Sequence, residues 1–150
     1  MKCERDSEFS ELACAIYRSI NQNVLESRLP KGTYVIFWCR HYDFQRQVFG
    51  KSFISDPKRN PLSIFAIVLS SNLIPDVQTL LSVVLYEMCH CIQHLNGIGE
   101  MNHGPCFKKV VKSTIKTMYS QADYMNQLQA TINCNINIKL LQKKVLNNEF

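Results

Sequence analysis

No stretch of this sequence is apolar enough to cross a bilayer: the most apolar run, Leu62 to Leu69, falls far short of the ~20 residues a spanning helix needs. The opening residues, Met1-Lys2-Cys3-Glu4-Arg5-Asp6, have no apolar core, so no secretory signal is expected. There is no Cys-x-x-Cys pair among the seven cysteines, and an odd number argues against a closed disulfide framework. Reduced thiols in an intracellular compartment are the expectation. Internal repeats and low-complexity tracts are also missing. Lys and Arg are absent from residues 61–100, which hold Asp76, Glu87 and Glu100, whereas residues 101–150 carry seven Lys against Asp123 and Glu149. The net charge of +5 is therefore concentrated. That asymmetry permits an anionic partner such as nucleic acid without demanding one, and a solvated basic face explains it equally well.

What remains is ordinary globular material. With 150 residues, 46% hydrophobic and 19% charged, the chain can bury one core and is not a disordered polymer. Phe9, Leu12, Ala13, Ile16, Tyr17 and Ile20 recur at helical spacing, predicting an amphipathic first helix ended by the segment Asn21 to Gly32, with Pro30 and Gly32 as punctuation. Thr33 to Cys39 reads as a strand, as does a segment around Gln47–Ile54 before the turn at Asp56-Pro57. Leu62 to Leu69 has the length and apolarity of a strand buried on both faces.

Pro75-Asp76 opens a long helix whose stripe runs Val77, Leu80, Leu81, Val84, Leu85, Met88, Ile92 and Leu95, stopping near Asn96-Gly97. Pro105 is placed to start another helix, with Phe107, Val110, Val111, Thr114, Ile115 and Met118 inward and Lys108, Lys112 and Lys116 on the other side. Residues 121–150 are Asn- and Gln-rich, weakly helical at Ile136 to Leu146, and read as a loosely docked tail. Helix, then strands, then helices argues an α+β fold.

Chemistry concentrates in Tyr86-Glu87-Met88-Cys89-His90. Zincin peptidases place H-E-x-x-H on a helix because residues four apart share a face, so both imidazoles reach one metal while the Glu acts on its bound water. Here Glu87 and His90 are present, and Tyr86 stands where the first His belongs. A bare E-x-x-H occurs often by chance, and a satisfied core histidine is its commoner meaning. His94, four residues past His90, could pair with it instead, but Glu87 would then lie on the wrong side of the metal; a solvent-facing His94 is expected. Cys89 and Cys91 diverge by about 200° on a helix and read as core thiols. A Cys89 or Cys106 nucleophile is conceivable, though inert buried thiols are far commoner. His41 reads as an exposed loop residue.

The context of that helix is more specific. Leu85 to His90, then Leu95-Asn96-Gly97-Ile98, then Asn102-His103-Gly104-Pro105 and Phe107 resemble the SprT-like metallopeptidase family, of the Spartan and germ-cell nuclear acidic peptidase type. That family reads H-E-M-C-H, a Gly-containing turn, then H-G-P before an aromatic and a basic helix. Leu29-Pro30, the strand ending in Trp38, Gly50 and Ile67 to Ser70 add to the resemblance, which spans roughly residues 8–119.

It implies a small zincin-type α+β fold over residues 1–120: N-terminal helix, short mixed sheet, central motif helix and C-terminal helices, followed by the tail 121–150. It also implies a zinc cofactor held by His90, by His103 thirteen residues on, and by Tyr86 in the position of the missing His, with Glu87 as catalytic base. Because a phenol must lose its proton to bind, the expected site is weak or empty. The implied activity is nuclear, DNA-dependent proteolysis of DNA-bound or crosslinked proteins, with Ile64–Leu69 as an edge strand aligning substrate. Its rival is an inactive pseudopeptidase binding chromatin, DNA or protein; a cysteine hydrolase is the third reading. Lys108, Lys112 and Lys116 are the tentative DNA contacts, a membrane partner is not expected, and the oligomeric state stays open. Nothing past residue 119 resembles the zinc ribbon or the ubiquitin- and clamp-binding tails of longer relatives, and Cys134 alone cannot build a ribbon.

Overall fold

A computed structural model describes residues 4–30, 33–38, 48–56, 63–70, 73–96 and 104–150. In chain order the elements are α1 (Glu4–Asn23), β1 (Tyr34–Trp38), β2 (Gly50–Asp56), β3 (Ser63–Ser70), α2 (Val77–Leu95), α3 (Pro105–Tyr119), α4 (Ala122–Ile132) and α5 (Ile138–Asn147). This is the expected α+β layout. None of the described helices is long and apolar enough to cross a membrane.

The first helix buries Ala13, Ile16, Tyr17 and Ile20. Beyond it the chain reverses through Glu26 and Ser27, both at positive φ (52° and 59°). Asn21 clamps that reversal from inside: its side chain donates to the Leu29 carbonyl (2.9 Å) and accepts from the Leu29 N–H (3.0 Å). The Tyr17 hydroxyl donates to the Pro30 carbonyl at 2.8 Å, and burial pushes its pKa up to about 12. The buried Leu29 thus finds partners for both its backbone groups, as it must.

The sheet order is β1-β3-β2, with β1 parallel and β2 antiparallel to β3. The expected strand around Gln47–Ile54 corresponds to β2, bounded here by Gly50 and Asp56. The apolar run is β3, buried from Ala66 to Ser70. Its assignment as a substrate-aligning edge is corrected: β3 is central, and ladders on both sides occupy its backbone groups. Gly50 lets β2 lie close on α2, since a Cβ there would stand 2.9 Å from Val83 Cγ1 and 3.1 Å from Leu69 Cδ2.

α2 starts after Pro75-Asp76 as expected, and Asp76 caps it, accepting from the Thr79 N–H at 2.8 Å; that bond holds its carboxyl below the ordinary range. Every residue from Thr79 to Gln93 is buried. The helix is therefore covered on all faces, by α1, α3, α5 and the sheet, rather than along one stripe. Pro105 stands at the start of α3, which buries Phe107, Val111, Thr114, Ile115 and Met118.

The last thirty residues differ from the loosely docked tail read from their composition. They form α4, burying Tyr124, Met125, Leu128 and Ile132, and α5, burying Leu141 and Val145. The Ser19 hydroxyl donates to Tyr124 Oη at 3.2 Å, and α5 packs on both α2 and α3. Each short helix offers a narrow apolar stripe. That stripe suffices because α1, α2 and α3 already present a surface to cover.

Candidate functional site

One face of α2 carries Tyr86, Glu87 and His90, and the deep burial of that helix decides their chemistry. Glu87 is only 4% exposed. The Ser52 hydroxyl, reaching in from β2, donates to Glu87 Oε2 at 2.7 Å, and the Cys91 thiol lies 3.7 Å from Ser52 Oγ. Burial pushes the Glu87 carboxyl up to about 7; the Ser52 bonds and the Lys51 charge resist but do not cancel the desolvation. A carboxyl so placed exchanges its proton near neutrality, which suits general acid–base work.

His90, 5% exposed, stacks on Phe107 with ring centroids 4.3 Å apart and planes 22° from parallel. Tyr86, one helical turn earlier, meets the His90 ring edge-on at 4.7 Å and 85°. It also meets Phe107 at 5.5 Å and Phe150 at 5.2 Å, both edge-on. Burial, then the neighbouring Glu87 charge, drives the Tyr86 phenol well above its usual value. The ring is thus held as one member of an aromatic cluster and keeps its proton.

A catalytic zinc needs three protein ligands and an open position. Among the described residues no group of three His, Cys, Asp or Glu side chains comes close enough to hold a metal ion. His90 supplies one imidazole; Tyr86 supplies a protonated, ring-packed phenol. His103, Glu100 and His41 lie outside the described residues. The donors described here do not fit a catalytic zinc.

The remaining candidates sort plainly. His94 is half-buried in the last turn of α2, not fully turned to solvent as expected. Cys89 and Cys91 are core thiols, as read from the sequence, and burial pushes both up to about 12, so neither is a thiolate nucleophile. Cys106 is exposed on the first turn of α3. Lys108, Lys112 and Lys116 are exposed along α3, flanking the buried face that holds Val111 and Ile115.

Sequence reasoning missed Ser52 and Phe150. Ser52 lies 35 residues from its partner Glu87. Nothing local marks it beyond its place in a strand two residues after Gly50.

The α+β layout, with Glu87 and His90 buried a turn apart on the central helix, agrees with the zincin-like, metallopeptidase-type class that the family match supports. The chain belongs to the SprT-like family, whose pattern it matches over residues 14–138. That family is of the zinc-dependent metallopeptidase type. Comparison with curated proteins and with solved structures gives no significant match.

Proposed function

We propose that this chain is a metallopeptidase-type domain whose zinc centre is depleted by Tyr86, and that it binds DNA-associated proteins rather than cutting them. One observation carries the reading: the position that should offer a second imidazole to the metal offers a buried phenol packed among His90, Phe107 and Phe150. Glu87, His90 and His103 then remain as the residue of a catalytic set. The family resemblance supports a nuclear setting and a protein partner on DNA or chromatin.

The test is cleavage of a protein bound to DNA, with zinc supplied. The unmodified chain is expected to leave it intact. Chelator-sensitive cleavage that disappears in Glu87→Gln would make Tyr86 a working zinc ligand and overturn the proposal.

For the DNA arm, the exposed row Lys108, Lys112 and Lys116 supports weak, sequence-independent binding through phosphates. Replacing all three by Ala is expected to reduce the slope of log affinity against log salt by up to about three units, near one per phosphate neutralised. Fluorescence anisotropy on a duplex probe reads this directly. An unchanged slope would leave the lysines as a solvated face.

A further inference from the structure

The buried residues of α5, Leu141 and Val145, belong to the core, where the helix packs on α2 and α3. Beside them runs a second row. Ile138, Gln142 and Leu146 recur four apart, about 80° round the helix from the buried pair. Each is only partly buried. Between this row and the last turn of α3 lies a groove of about 670 Å³, whose lining includes Tyr119, Ile138, Lys139, Gln142, Lys143 and Leu146. Tyr119 is 52% exposed, more than any other large hydrophobic side chain among the described residues.

The charge around this groove has one sign. α3 carries Lys108, Lys109, Lys112 and Lys116, α5 carries Lys139, Lys143 and Lys144, and neither helix contains an Asp or Glu. Among the described residues no carboxylate lines the groove. Lys116 stands one turn before Tyr119, and Lys139 and Lys143 are exposed beside the apolar row. An apolar floor set among cations is complementary to an apolar row flanked by carboxylates. A row of residues four apart is also the ridge against which another helix packs.

We infer that the groove between α3 and α5 is a docking site for an acidic amphipathic helix of a partner protein. The ten residues of α5 span about 15 Å, so about three turns of the partner cover it. Nucleic acid suits the groove less well. Apart from Tyr119 the apolar lining is aliphatic, Ile138 and Leu146, where stacked bases need aromatic platforms. A second copy of this chain meeting it face to face would set lysine against lysine. Tyr86, Glu87 and His90 are not among the lining residues, so the inference goes beyond the reading of the zinc centre: it adds a second surface and the chemistry of what binds there.

The experiment uses the full chain and a fluorescent peptide of about 14 residues, long enough for three turns and their ends, with Leu at helical spacing and Glu on the flanks. Anisotropy compares it with a scrambled peptide of the same composition and with a single-stranded oligonucleotide as competitor. Wild type is expected to bind the ordered peptide about tenfold more tightly than the scrambled one, since only the ordered one presents a row. The double change Lys139→Glu, Lys143→Glu should weaken binding about tenfold or more, and Tyr119→Ala about fivefold. All three side chains are exposed, so both variants should keep the wild-type circular dichroism spectrum. By NMR the Tyr119 ring resonances should shift on binding while those of Tyr86 stay. No binding below about 1 mM peptide, equal affinity for the ordered and scrambled peptides, or undiminished binding by either variant would overturn the inference. So would shifts centred on Tyr86, or an oligonucleotide that displaces the peptide and depends on Tyr119 for its own affinity.

Discussion

Tyr86→His is expected to lower the stability of the metal-free protein and to raise its zinc affinity, the two effects having separate causes. Without metal the substitution removes a ring that touches His90, Phe107 and Phe150 and is 8% exposed in the wild type. Such a loss costs about 1–3 kcal/mol. With metal, an imidazole four residues before His90 completes the i, i+4 pair, and His103 is the third ligand the family resemblance implies. Zinc sites complete in their ligands reach roughly 10 kcal/mol or more, so adding one ligand to a deficient set should tighten binding by about 3 kcal/mol or more, two orders of magnitude. Thermal melts with and without zinc separate the two terms: the variant should melt below wild type in chelator and gain far more on zinc addition. An unchanged metal affinity would place this helix away from any zincin centre.

Glu87→Gln is expected to remove a pH dependence of stability in chelator-treated protein. In the folded chain the carboxyl keeps its proton up to about 7, against an ordinary 4.5. Between those values the folded state binds more protons than the unfolded state, so stability must fall as pH rises through that window. Below the lower value the penalty is absent, and above about 7 it is complete, at about 3 kcal/mol for this fully buried group. Gln does not titrate and still offers an oxygen to the Ser52 hydroxyl. Denaturation midpoints at pH 4.5 and pH 8 should therefore differ less in Glu87→Gln than in wild type, with the variant the more stable at pH 8. A variant with the same pH profile as wild type would show that Glu87 ionises freely in the folded state.

The elements most legible in the sequence were those with local punctuation. The Pro75-Asp76 start of α2 and Pro105 at the head of α3 are decided within one turn of chain, and each stands where it was expected. The strand β3 was legible as a strand but not as the central one, because pairing partners and not its own residues fix a strand's place in a sheet. Its apolarity on both faces was the signal available, and it pointed inward. Of the final two helices the sequence showed only a weak helical stretch at Ile136 to Leu146, because burial of Tyr124, Leu128, Ile132, Leu141 and Val145 depends on surfaces built earlier in the chain.

At the site, Glu87 and His90 were legible from their spacing, and Tyr86 from its substitution for a ligand. Their environment was not. The Ser52 bond joins a strand to a helix, and the Phe150 contact brings a residue from beyond α5 onto the same face. Both are tertiary facts with no motif of their own. The aromatic cage around Tyr86 sharpens what the substitution means: the residue is built in as packing.

Zinc content by elemental mass spectrometry, on native protein purified without added metal and passed through a chelator, tests the central claim most directly. A depleted centre predicts well below one zinc per chain, restored toward one by Tyr86→His. Roughly one tightly held zinc per wild-type chain would contradict the account and make this an intact metallopeptidase site.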